Sequence, residues 1–343
     1  MPGDQRSVNL EDIARLAGVS RSTVSRVINN YPHVHPETRR KVLEVVDREH
    51  FHPNLAARTL VTQRTRVLGF VTPQRLTEVF EDPYFHVVIQ GVSSTANQHD
   101  YSVMLWVGEG IEEQKLYQRT RHSRLIDGLI VASVLEGDPL VMQLADDNFP
   151  CVLIGRPPCE GLNSVDVDNC LGARVAVEHL VHLGYQRIGT ITGRRDMSAG
   201  QERLEGYESA LRAANRPINP AWIVTGDFSE RSGYVGMKVL LNQHVDAVFC
   251  AGDLMAMGAM RAIHEQGLRI PDDVALVGFD DLPLAAAVNP PLTTIRQPIQ
   301  QLGSAATEAL INLLEGDLST PYRAVLPTEL IVRASCGAMR RLA

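Results

Sequence analysis

Three features are scarce in this sequence of 343 residues: long apolar segments, paired cysteines and an excess of positive charge. The longest apolar runs, 129–134 and 274–279, have the length of strands, whereas a membrane-spanning helix needs about 20 apolar residues. Residues 1–9 are polar, unlike a secretory signal. The five cysteines are scattered without a CxxC pair, which is typical of inert thiols in a reducing compartment. We therefore expect a cytoplasmic protein without a membrane partner.

Motifs of common enzymes are also absent. The sequence has no GxSxG nucleophile elbow, no Walker phosphate loop, no HExxH zinc motif and no phosphate-binding GxGxxG. Asp253 and Asp280 both follow predicted strands, but two aspartates alone are thin evidence for acid–base catalysis. We therefore predict that the protein is not an enzyme and uses neither a cofactor nor a metal ion.

The length and the charge distribution indicate domains with different roles. A chain of 343 residues is too long for one ordinary domain. The net charge of −7 is unevenly divided: residues 1–66 hold 11 basic and 7 acidic side chains, and the remainder holds 22 and 33. A basic head on an acidic body is typical of a protein whose DNA contact is confined to one end.

The spacing of apolar residues in this head predicts three short helices. Asn9 caps a first helix whose apolar stripe is Ile13, Leu16 and Ala17, and Gly18 ends it. Ser20 caps a second helix with Val24, Val27 and Ile28 facing inward, and a third helix spans 36–49, with Val42, Leu43, Val45 and Val46 on its apolar faces. This arrangement is a helix-turn-helix, the alternative being an ordinary amphipathic helix with two surface arginines.

The exposed face of the second helix carries side chains suited to DNA. Arg21, Ser22 and Arg26 can reach base edges in the major groove, where an arginine donates two hydrogen bonds to guanine. Other polar side chains are better placed for phosphates, which position a domain without reading sequence. The full set of predicted contacts from this head is Leu10, Ser20, Arg21, Ser22, Ser25, Arg26, Asn29, His33 and Thr38.

From residue 66 onward, predicted strands alternate with amphipathic helices, which indicates parallel sheets covered by helices. The strands are predicted at 66–71, 101–106, 128–132, 151–154, 187–192, 222–225, 247–250, 274–278 and 328–334. Helical spacing occurs at 170–183, 203–213, 232–241 and 255–266. The fold class is therefore α/β: an all-α helix-turn-helix domain, then a bilobed sensor of two parallel-sheet subdomains, with its ligand at the strand ends.

The sequence resembles the LacI/GalR family of bacterial repressors along its whole length. The motifs that carry the resemblance are LEDIARLAGVSRSTVSRVIN (10–29), VHPETR (34–39), PNLAA (53–57), HL (179–180), LGY (183–185), RLEGY (203–207), GD (252–253), GA (258–259), VGFDD (277–281) and PLTT (291–294). The resemblance implies a bilobed domain like that of periplasmic binding proteins. It also implies a hinge helix at residues 54–60 that forms when a dimer sits on its operator.

The resemblance assigns roles to three hinge residues. Leu60 matches a leucine wedge inserted into the minor groove, and Asn54 and Ala57 match neighbouring positions that touch DNA. From spacing alone, Leu60 could equally be a linker leucine that covers part of the sensor. Two-fold pairing implies a near-palindromic operator in double-stranded DNA.

Candidate effector contacts lie at predicted strand ends and helix starts. Arg203 opens a predicted helix, Phe228 is a stacking platform, and Tyr84 and Phe85 follow Pro83 in a predicted loop. The resemblance places these four and Asp280 in the effector pocket and Asp253 beside it. The two aspartates could instead be caps or turn residues, and the two aromatics core or dimer contacts. The full set is Tyr84, Phe85, Arg156, Asp168, Arg203, Phe228, Asp253 and Asp280.

We predict a sequence-specific transcriptional repressor of carbohydrate genes, released from its operator by a mono- or oligosaccharide. Gly252 stands where several sugar-responsive members have asparagine, and Met197 where purine-responsive members have arginine, with Arg194 and Arg195 nearby. A purine- or other metabolite-responsive repressor, with the ligand as corepressor, is therefore the alternative. A sugar carrier of the periplasmic type is disfavoured by the N-terminal reader.

The predicted domains are a DNA-binding domain at 8–52, a hinge and linker at 53–63, a sensor at 64–337 and a tail at 338–343. The first sensor lobe is expected at 64–167 and 297–325, and the second at 168–296 and 326–337. No leucine heptad follows the last predicted strand, so we expect a homodimer and no tail-mediated tetramer. Ligand closure is expected to turn the first lobe against its dimer mate and to separate the hinges.

Overall fold

The structure, a computed structural model, describes residues 8–28, 31–49, 51, 64–72, 76–107, 115, 117–118 and 125–338. Contacts between Cα atoms divide the chain into two compact units, Met1–Thr65 and Arg66–Ala343. The predicted DNA contacts Asn29, Asn54, Ala57 and Leu60 lie outside the described residues. Within the described parts of the chain, no helix combines the length and apolar character needed to cross a membrane.

The N-terminal unit contains the three predicted helices: α1 (Leu10–Ala17), α2 (Arg21–Ile28) and α3 (Pro36–Arg48). Asn9 caps α1 as predicted, because its side chain accepts hydrogen bonds from the backbone of Glu11 and Asp12. Gly18 ends α1 in the left-handed region, with φ of 67°, and this tight turn starts the chain toward α2.

A small apolar core holds these helices together. It is formed by Ile13, Ala14, Ala17, Val24, Val27, Val42, Val45 and Phe51. Leu16 and Leu43, predicted on the apolar faces of α1 and α3, do not belong to this core: Leu16 is 44 % exposed and Leu43 is 42 % exposed. Each lies next in sequence to a buried position and so points off the face that packs.

The described residues of the second unit form two sheets of six strands each. The first sheet has the order β11-β5-β4-β3-β1-β2, and all its neighbouring strands are parallel. Its strands are β1 (Val67–Thr72), β2 (Ser102–Val107), β3 (Gly128–Ala132), β4 (Cys151–Ile154), β5 (Asn163–Val167) and β11 (Arg323–Leu326). This sheet and its helices are called the first lobe.

The second sheet has the order β12-β10-β9-β8-β6-β7, in which β12 alone is antiparallel to its neighbour. Its strands are β6 (Ile188–Thr192), β7 (Ile223–Thr225), β8 (Ala247–Cys250), β9 (Ala275–Asp280), β10 (Thr293–Arg296) and β12 (Glu329–Ile331). This sheet and its helices are called the second lobe. The predicted fold of two parallel-sheet α/β subdomains is therefore confirmed.

Helices cover these sheets. The first lobe has α4 (Leu76–Glu81), α5 (Pro83–Gln98), α6 (Pro139–Asp146) and α12 (Ile299–Glu315). The second lobe has α7 (Asn169–His182), α8 (Ser198–Ala213), α9 (Glu230–Leu241), α10 (Asp253–Glu265) and α11 (Pro283–Ala287). Separate apolar clusters fill the lobes and combine side chains of the buried strands with those of the covering helices, as expected for parallel sheets covered on both faces.

Glycines allow the paired helices of each lobe to approach closely. A Cβ atom at Gly303 of α12 would collide with the backbone of α5, and one at Gly206 of α8 with the backbone of α7. A Cβ atom at Gly258 of α10 would collide with the backbone of α9 in the same way. The helices on each face are therefore fixed against one another, which holds the loops at the strand ends in place.

Candidate functional site

In the N-terminal unit, α2 presents its polar face to solvent. Arg21, Ser22 and Arg26 are exposed, while Val24 and Val27 on the opposite face are buried. A helix held by one apolar face, with two arginines on the other, has the form that enters a DNA major groove.

Ser20 organises the start of this helix. Its Oγ accepts a hydrogen bond from the backbone N–H of Thr23 at 3.1 Å and lies 2.8 Å from the Ser22 hydroxyl. Among the described residues, Arg21 pairs with Glu11 alone, in an exposed contact at 3.4 Å that a phosphate can replace. The other predicted contacts are distributed around these helices: His33 is exposed, and Leu10, Ser25 and Thr38 are half-buried.

In the second unit, a cavity of about 540 Å³ lies where strands of both sheets end. Its lining includes Ser133 after β3, Gly155 after β4, Arg194 after β6 and Gln297 after β10, as well as Asp280 at the end of β9. Ligands of open α/β sheets bind at the carboxyl ends of strands, and this volume suits a small organic ligand.

Arg203 is the central cation of the second-lobe wall. Its Nε donates to Oδ1 of Asn169 at 2.9 Å, and its Nη1 donates to the carbonyl oxygen of Ala251 at 2.6 Å. The guanidinium lies 3.7 Å from the ring centre of Phe279, which supports it from one side. Arg203 does not open its helix as predicted, since α8 begins five residues earlier, at Ser198. Burial and these contacts fix the guanidinium in one position.

Asp280 closes this arrangement at the end of β9. Its Oδ1 accepts from Nε2 of Gln297 at 2.6 Å and lies 3.4 Å from Nη1 of Arg203. Burial raises the pKa of Asp280, and the nearby Arg203 charge opposes that rise. Its backbone has a positive φ of 123°, which is strained for a residue with a side chain. This strained backbone directs the carboxyl into the network.

Phe228 forms an aromatic wall of the cavity. Its ring lies against the backbone of Gly193, where a Cβ atom would overlap it, and its φ of 71° is unusual for a bulky residue. Arg203 lies 5.7 Å from the ring centre. The ring and the guanidinium together present a flat apolar face beside hydrogen-bond donors, a combination that suits the C–H face and the hydroxyls of a sugar.

The first-lobe wall contains Tyr84 and Phe85, whose rings meet edge to face at 5.5 Å. Their predicted position in a loop was wrong: they lie in the first turn of α5, which begins at Pro83. Asp82 caps that helix by accepting a hydrogen bond from the Tyr84 N–H at 2.9 Å. Because Pro83 is well suited to a first helical position, the cap and the proline were the signals that identify this helix.

Three predicted effector residues lie outside the cavity lining. Asp253 is 1 % exposed, and its carboxylate accepts from the Thr294 hydroxyl at 2.6 Å and from the Leu282 N–H at 2.8 Å. Asp168 caps α7. Arg156 is largely exposed and pairs with Glu202 at 3.3 Å. The contacts of Asp253 and Asp168 are those of turn and cap residues, an alternative that the sequence analysis had left open for Asp253.

Several lining residues were missed by sequence reasoning. Asp82 and Asp166 contribute carboxyls from the first lobe, and Asn169, Arg194 and Gln297 contribute polar groups at strand or helix ends. Asp166 lies in β5, one residue before its end, and Gln297 directly follows β10; neither strand was predicted. Recognising the alternating pattern of the first, NSVDV, would have brought Asp166 to a strand end.

Burial also affects two carboxyls of the first-lobe wall, those of Asp82 and Asp166. Burial raises the pKa of Asp82 to about 7, and Asp280 adds to the rise while Arg203 and the Tyr84 N–H oppose it. Burial likewise raises the pKa of Asp166 to about 7, reinforced by Glu202. Near neutral pH each carboxyl is therefore divided between a form that donates a hydrogen bond and a form that only accepts. Among the described residues, no cluster of side chains could hold a metal ion.

A helix-turn-helix unit joined to a two-lobed α/β unit with a ligand-sized cavity defines a ligand-responsive transcription regulator. Residues 9–54 match the family model of bacterial regulatory proteins of the lacI family, and residues 177–336 match a periplasmic binding protein-like domain. The chain is 39 % identical to the HTH-type transcriptional regulator CelR of Thermobifida fusca, over 96 % of this chain and 99 % of that protein. The chain therefore belongs to the LacI family of bacterial regulatory proteins.

Other relatives agree with this placement. The chain is 34 % identical to the ribose operon repressor of Haemophilus influenzae, over 96 % of this chain and 99 % of that one. A solved complex of CelR with cellobiose aligns over 96 % of this chain and 99 % of its own, with 36 % identity and a TM-score of 0.76. The lac repressor dimer bound to operator and the anti-inducer ONPF aligns over 96 % and 99 %, with 31 % identity and a TM-score of 0.82.

Proposed function

We propose that this protein is a sequence-specific transcriptional repressor of carbohydrate-utilisation genes that a sugar effector releases from its operator. The observation that carries the proposal is the second-lobe wall of the cavity. There Arg203 and Asp280 form a fixed polar pair beside the Phe228 ring. Planar groups beside an aromatic face hold adjacent hydroxyls on one side of a sugar and stack against its C–H groups.

The relatives support a sugar as the ligand. CelR, a family member that aligns along almost the whole chain, is described in complex with cellobiose. A β-linked glucose disaccharide is therefore the first candidate, and the cavity of about 540 Å³ has room for one. The protein acts without enzymatic turnover in this proposal, and it acts in the cytoplasm, where operator DNA is accessible.

We propose that the DNA is read by a homodimer. The lac repressor relative is described as a dimer bound to operator, and a two-fold protein requires a near-palindromic site. Arg21, Ser22 and Arg26 read bases, and Leu10, Ser20, Ser25, Asn29, His33 and Thr38 position the domain. Asn54, Ala57 and Leu60 belong to the hinge. The domain division proposed with this function is 8–52, 53–63, 64–337 and 338–343.

The two lobes are joined beside the cavity by a backbone contact, called here the lobe clasp. Leu135 of the first lobe pairs with Met197 of the second as an isolated antiparallel bridge, and the Glu136 N–H donates to the Asp196 carbonyl at 2.7 Å. A ligand that contacts both walls favours the arrangement in which this clasp is formed. Because the ligand can shift an equilibrium only by its different affinity for two states, the clasp supplies one such difference.

DNA binding is tested first, on an operator selected from random duplexes by the purified protein. Arg26→Ala is expected to weaken binding to the selected site about 10-fold and to relax preference at one base pair. Leu60→Ala is expected to weaken specific binding much more than binding to random DNA. Equal losses on both DNAs would exclude the wedge.

The effector is tested by adding cellobiose, glucose, ribose or hypoxanthine to the protein–operator complex. Release by one of the sugars supports the proposal, and tighter operator binding with hypoxanthine supports the purine alternative. Arg194, which lines the cavity, is the cation that the purine alternative requires. Asp280→Ala is expected to abolish the sugar response and to keep operator binding; an unchanged response would remove Asp280 from the site. Hydrolysis of any added sugar would contradict a role without turnover.

A further inference from the structure

Acidic side chains outnumber basic ones in the described lining of the cavity. Among the described lining residues there are six carboxyl groups and two guanidinium groups. The carboxyls are Glu81, Asp82, Asp166, Asp227, Glu230 and Asp280. An anionic ligand entering this cavity would be placed among like charges in a site that is partly removed from water, which disfavours it.

Neither guanidinium offsets this excess for a ligand. Arg194 is held by Asp196 through two hydrogen bonds, at 2.7 and 3.0 Å. Arg203 faces Asp280 at 3.4 Å and donates to Asn169 and Ala251. Both cations therefore already have an acidic partner within the protein. A site that binds anionic sugars needs a cation whose charge is available to the ligand, usually an arginine fork.

Two first-lobe carboxyls, those of Asp82 and Asp166, are partly buried and held by the protein through one oxygen each. Asp82 accepts from the Tyr84 N–H through Oδ1, and Asp166 accepts from the Val167 N–H and from Asn169 through Oδ1. Among the described residues, Oδ2 of each carboxyl has no hydrogen-bond partner. Two partly buried acceptors that line a cavity without partners are suited to hydroxyl donors of a ligand.

We propose that Asp82 and Asp166 select the effector: they bind hydroxyl groups of an uncharged polyhydroxyl ligand and exclude sugars that carry a carboxylate or a phosphate. This inference rests on the proposed sugar response and adds the charge class of the ligand and two residues that decide it. Arg203 lines the opposite wall of the same cavity and its charge acts on both carboxyls, so a ligand between them contacts both lobes.

The protonation of these carboxyls agrees with an uncharged ligand. With pKa values raised to about 7, each group is able either to accept from a hydroxyl or to donate to one. Hydroxyls of a sugar do both. A cationic amino sugar would instead need fully ionised carboxylates, and Arg203 would oppose its charge. An amino sugar that binds more tightly than its neutral parent is therefore an outcome that would overturn the inference.

The experiment compares matched sugars by isothermal titration of the full-length protein. The neutral probes are glucose and cellobiose, the anionic probes glucuronate, glucose 6-phosphate and cellobiouronic acid, and the cationic probe glucosamine. The wild-type protein is expected to bind a neutral probe at least 50-fold more tightly than its charged counterparts. An anionic probe that binds as tightly as the neutral one would contradict the inference.

Variants assign the selection to residues. Asp82→Asn and Asp166→Asn keep the shape and one acceptor but remove the charge. Each is expected to weaken binding of the neutral sugar about 5-fold and to reduce the discrimination against its uronate to below 10-fold. Discrimination that is unchanged in the double variant would assign selection elsewhere. Asp317→Asn, the same change on an exposed turn after α12, is the control and is expected to match the wild type.

Operator binding of the same samples separates this inference from the proposed function. A protein that binds its selected operator and prefers an anionic sugar contradicts the inference but keeps the regulator. A protein that binds the operator and none of the sugars contradicts both the sugar response and the inference. Thermal unfolding of each variant excludes misfolding, because removing a buried charge at Asp82 or Asp166 is expected to keep or raise the unfolding temperature.

Discussion

The two walls of the cavity use polar groups in opposite ways. On the second lobe, Asp280 is hydrogen-bonded to both Arg203 and Gln297. On the first lobe, Asp82 and Asp166 are held by one oxygen and leave the other unused among the described residues. The second-lobe wall is thus a preformed surface for the ligand, and the first-lobe wall selects which ligand binds. A sensor that closes around a ligand benefits from one rigid wall, since less ordering is needed on binding.

The largest expected effect comes from removing the cation of the rigid wall. Arg203→Ala leaves Asp280 buried without its partner, so we expect a loss of about 3–5 kcal/mol of unfolding free energy and no measurable effector binding. Urea unfolding and isothermal titration measure these two effects.

The matched control is Arg212→Ala, on the same helix. Its pair with Glu208 is an exposed pair one helical turn apart, and such pairs contribute less than about 0.5 kcal/mol. If Arg203→Ala were as mild as this control, the second wall would not be a preformed network.

A smaller effect is expected from displacing the aromatic platform while keeping the ion pair. A Cβ atom at Gly193 would overlap the Phe228 ring, so Gly193→Ala has to push the ring from its place. We expect effector affinity to fall at least 10-fold with unfolding free energy lowered by about 1–3 kcal/mol, the usual range for overpacking.

Gly252→Ala tests the same ring from another side. A Cβ atom there would lie 3.4 Å from Cδ1 of Phe228, an ordinary contact, and its backbone is extended. Its effector affinity is therefore expected to stay within about 3-fold of the wild type, a difference below about 0.7 kcal/mol. Similar losses in both variants would mean that the position of the ring is unimportant.

The difference between the walls also explains what could be predicted from the sequence. Arg203, Phe228 and Asp280 were identified because they lie at the starts or ends of predicted elements and match family positions, and all three line the cavity. Asp82 and Asp166 were missed because their importance depends on the opposite lobe. Local sequence patterns predict strands and helix caps, but they do not predict which side chains share a cavity.

The fold was predictable where apolar runs were continuous, as in β3, β4 and β8, whose bounds match the prediction. Strands β5, β10 and β11 were missed because they are short and mix polar residues among the apolar ones. Helices α5 and α12 were missed as well, although Asp82 and Pro83 mark the start of the first. In each case pairing and packing with distant segments, more than local pattern, decide the structure.

The pH dependence of stability separates the walls further. Asp82 has Tyr84, Asp280 and Arg203 as neighbours, and Asp166 has Asn169, Glu202 and Arg203. Both pKa values are raised from 3.8 to about 7, so the native state binds more protons than the unfolded state between these values. Native stability is therefore expected to fall as pH rises from about 4 toward 8, by at most a few kcal/mol for the pair.

Urea unfolding of the full-length protein at pH 5.5, 7 and 8.5 measures this fall. Asp82→Asn with Asp166→Asn is expected to make the curve flatter than that of the wild type and to raise stability most at pH 8.5. Asp138, another carboxyl whose pKa burial raises, remains in both proteins and cancels in the difference. Parallel curves for the two proteins would show that these carboxyls ionise normally.

The smallest effect is expected behind the rigid wall, where Asp253 supports the fold without lining the cavity. Thr294→Val removes the hydroxyl that donates to Asp253 at 2.6 Å, while the Leu282 N–H still donates to its other oxygen. Loss of one buried hydrogen bond lowers unfolding free energy by about 1–3 kcal/mol. Because neither side chain reaches the cavity, effector affinity is expected to remain within about 2-fold of the wild type, or about 0.4 kcal/mol. A larger change in affinity without a matching loss of stability would mean that Asp253 acts on the ligand site, beside which the family resemblance had placed it. The rigid wall would then include residues behind the cavity lining.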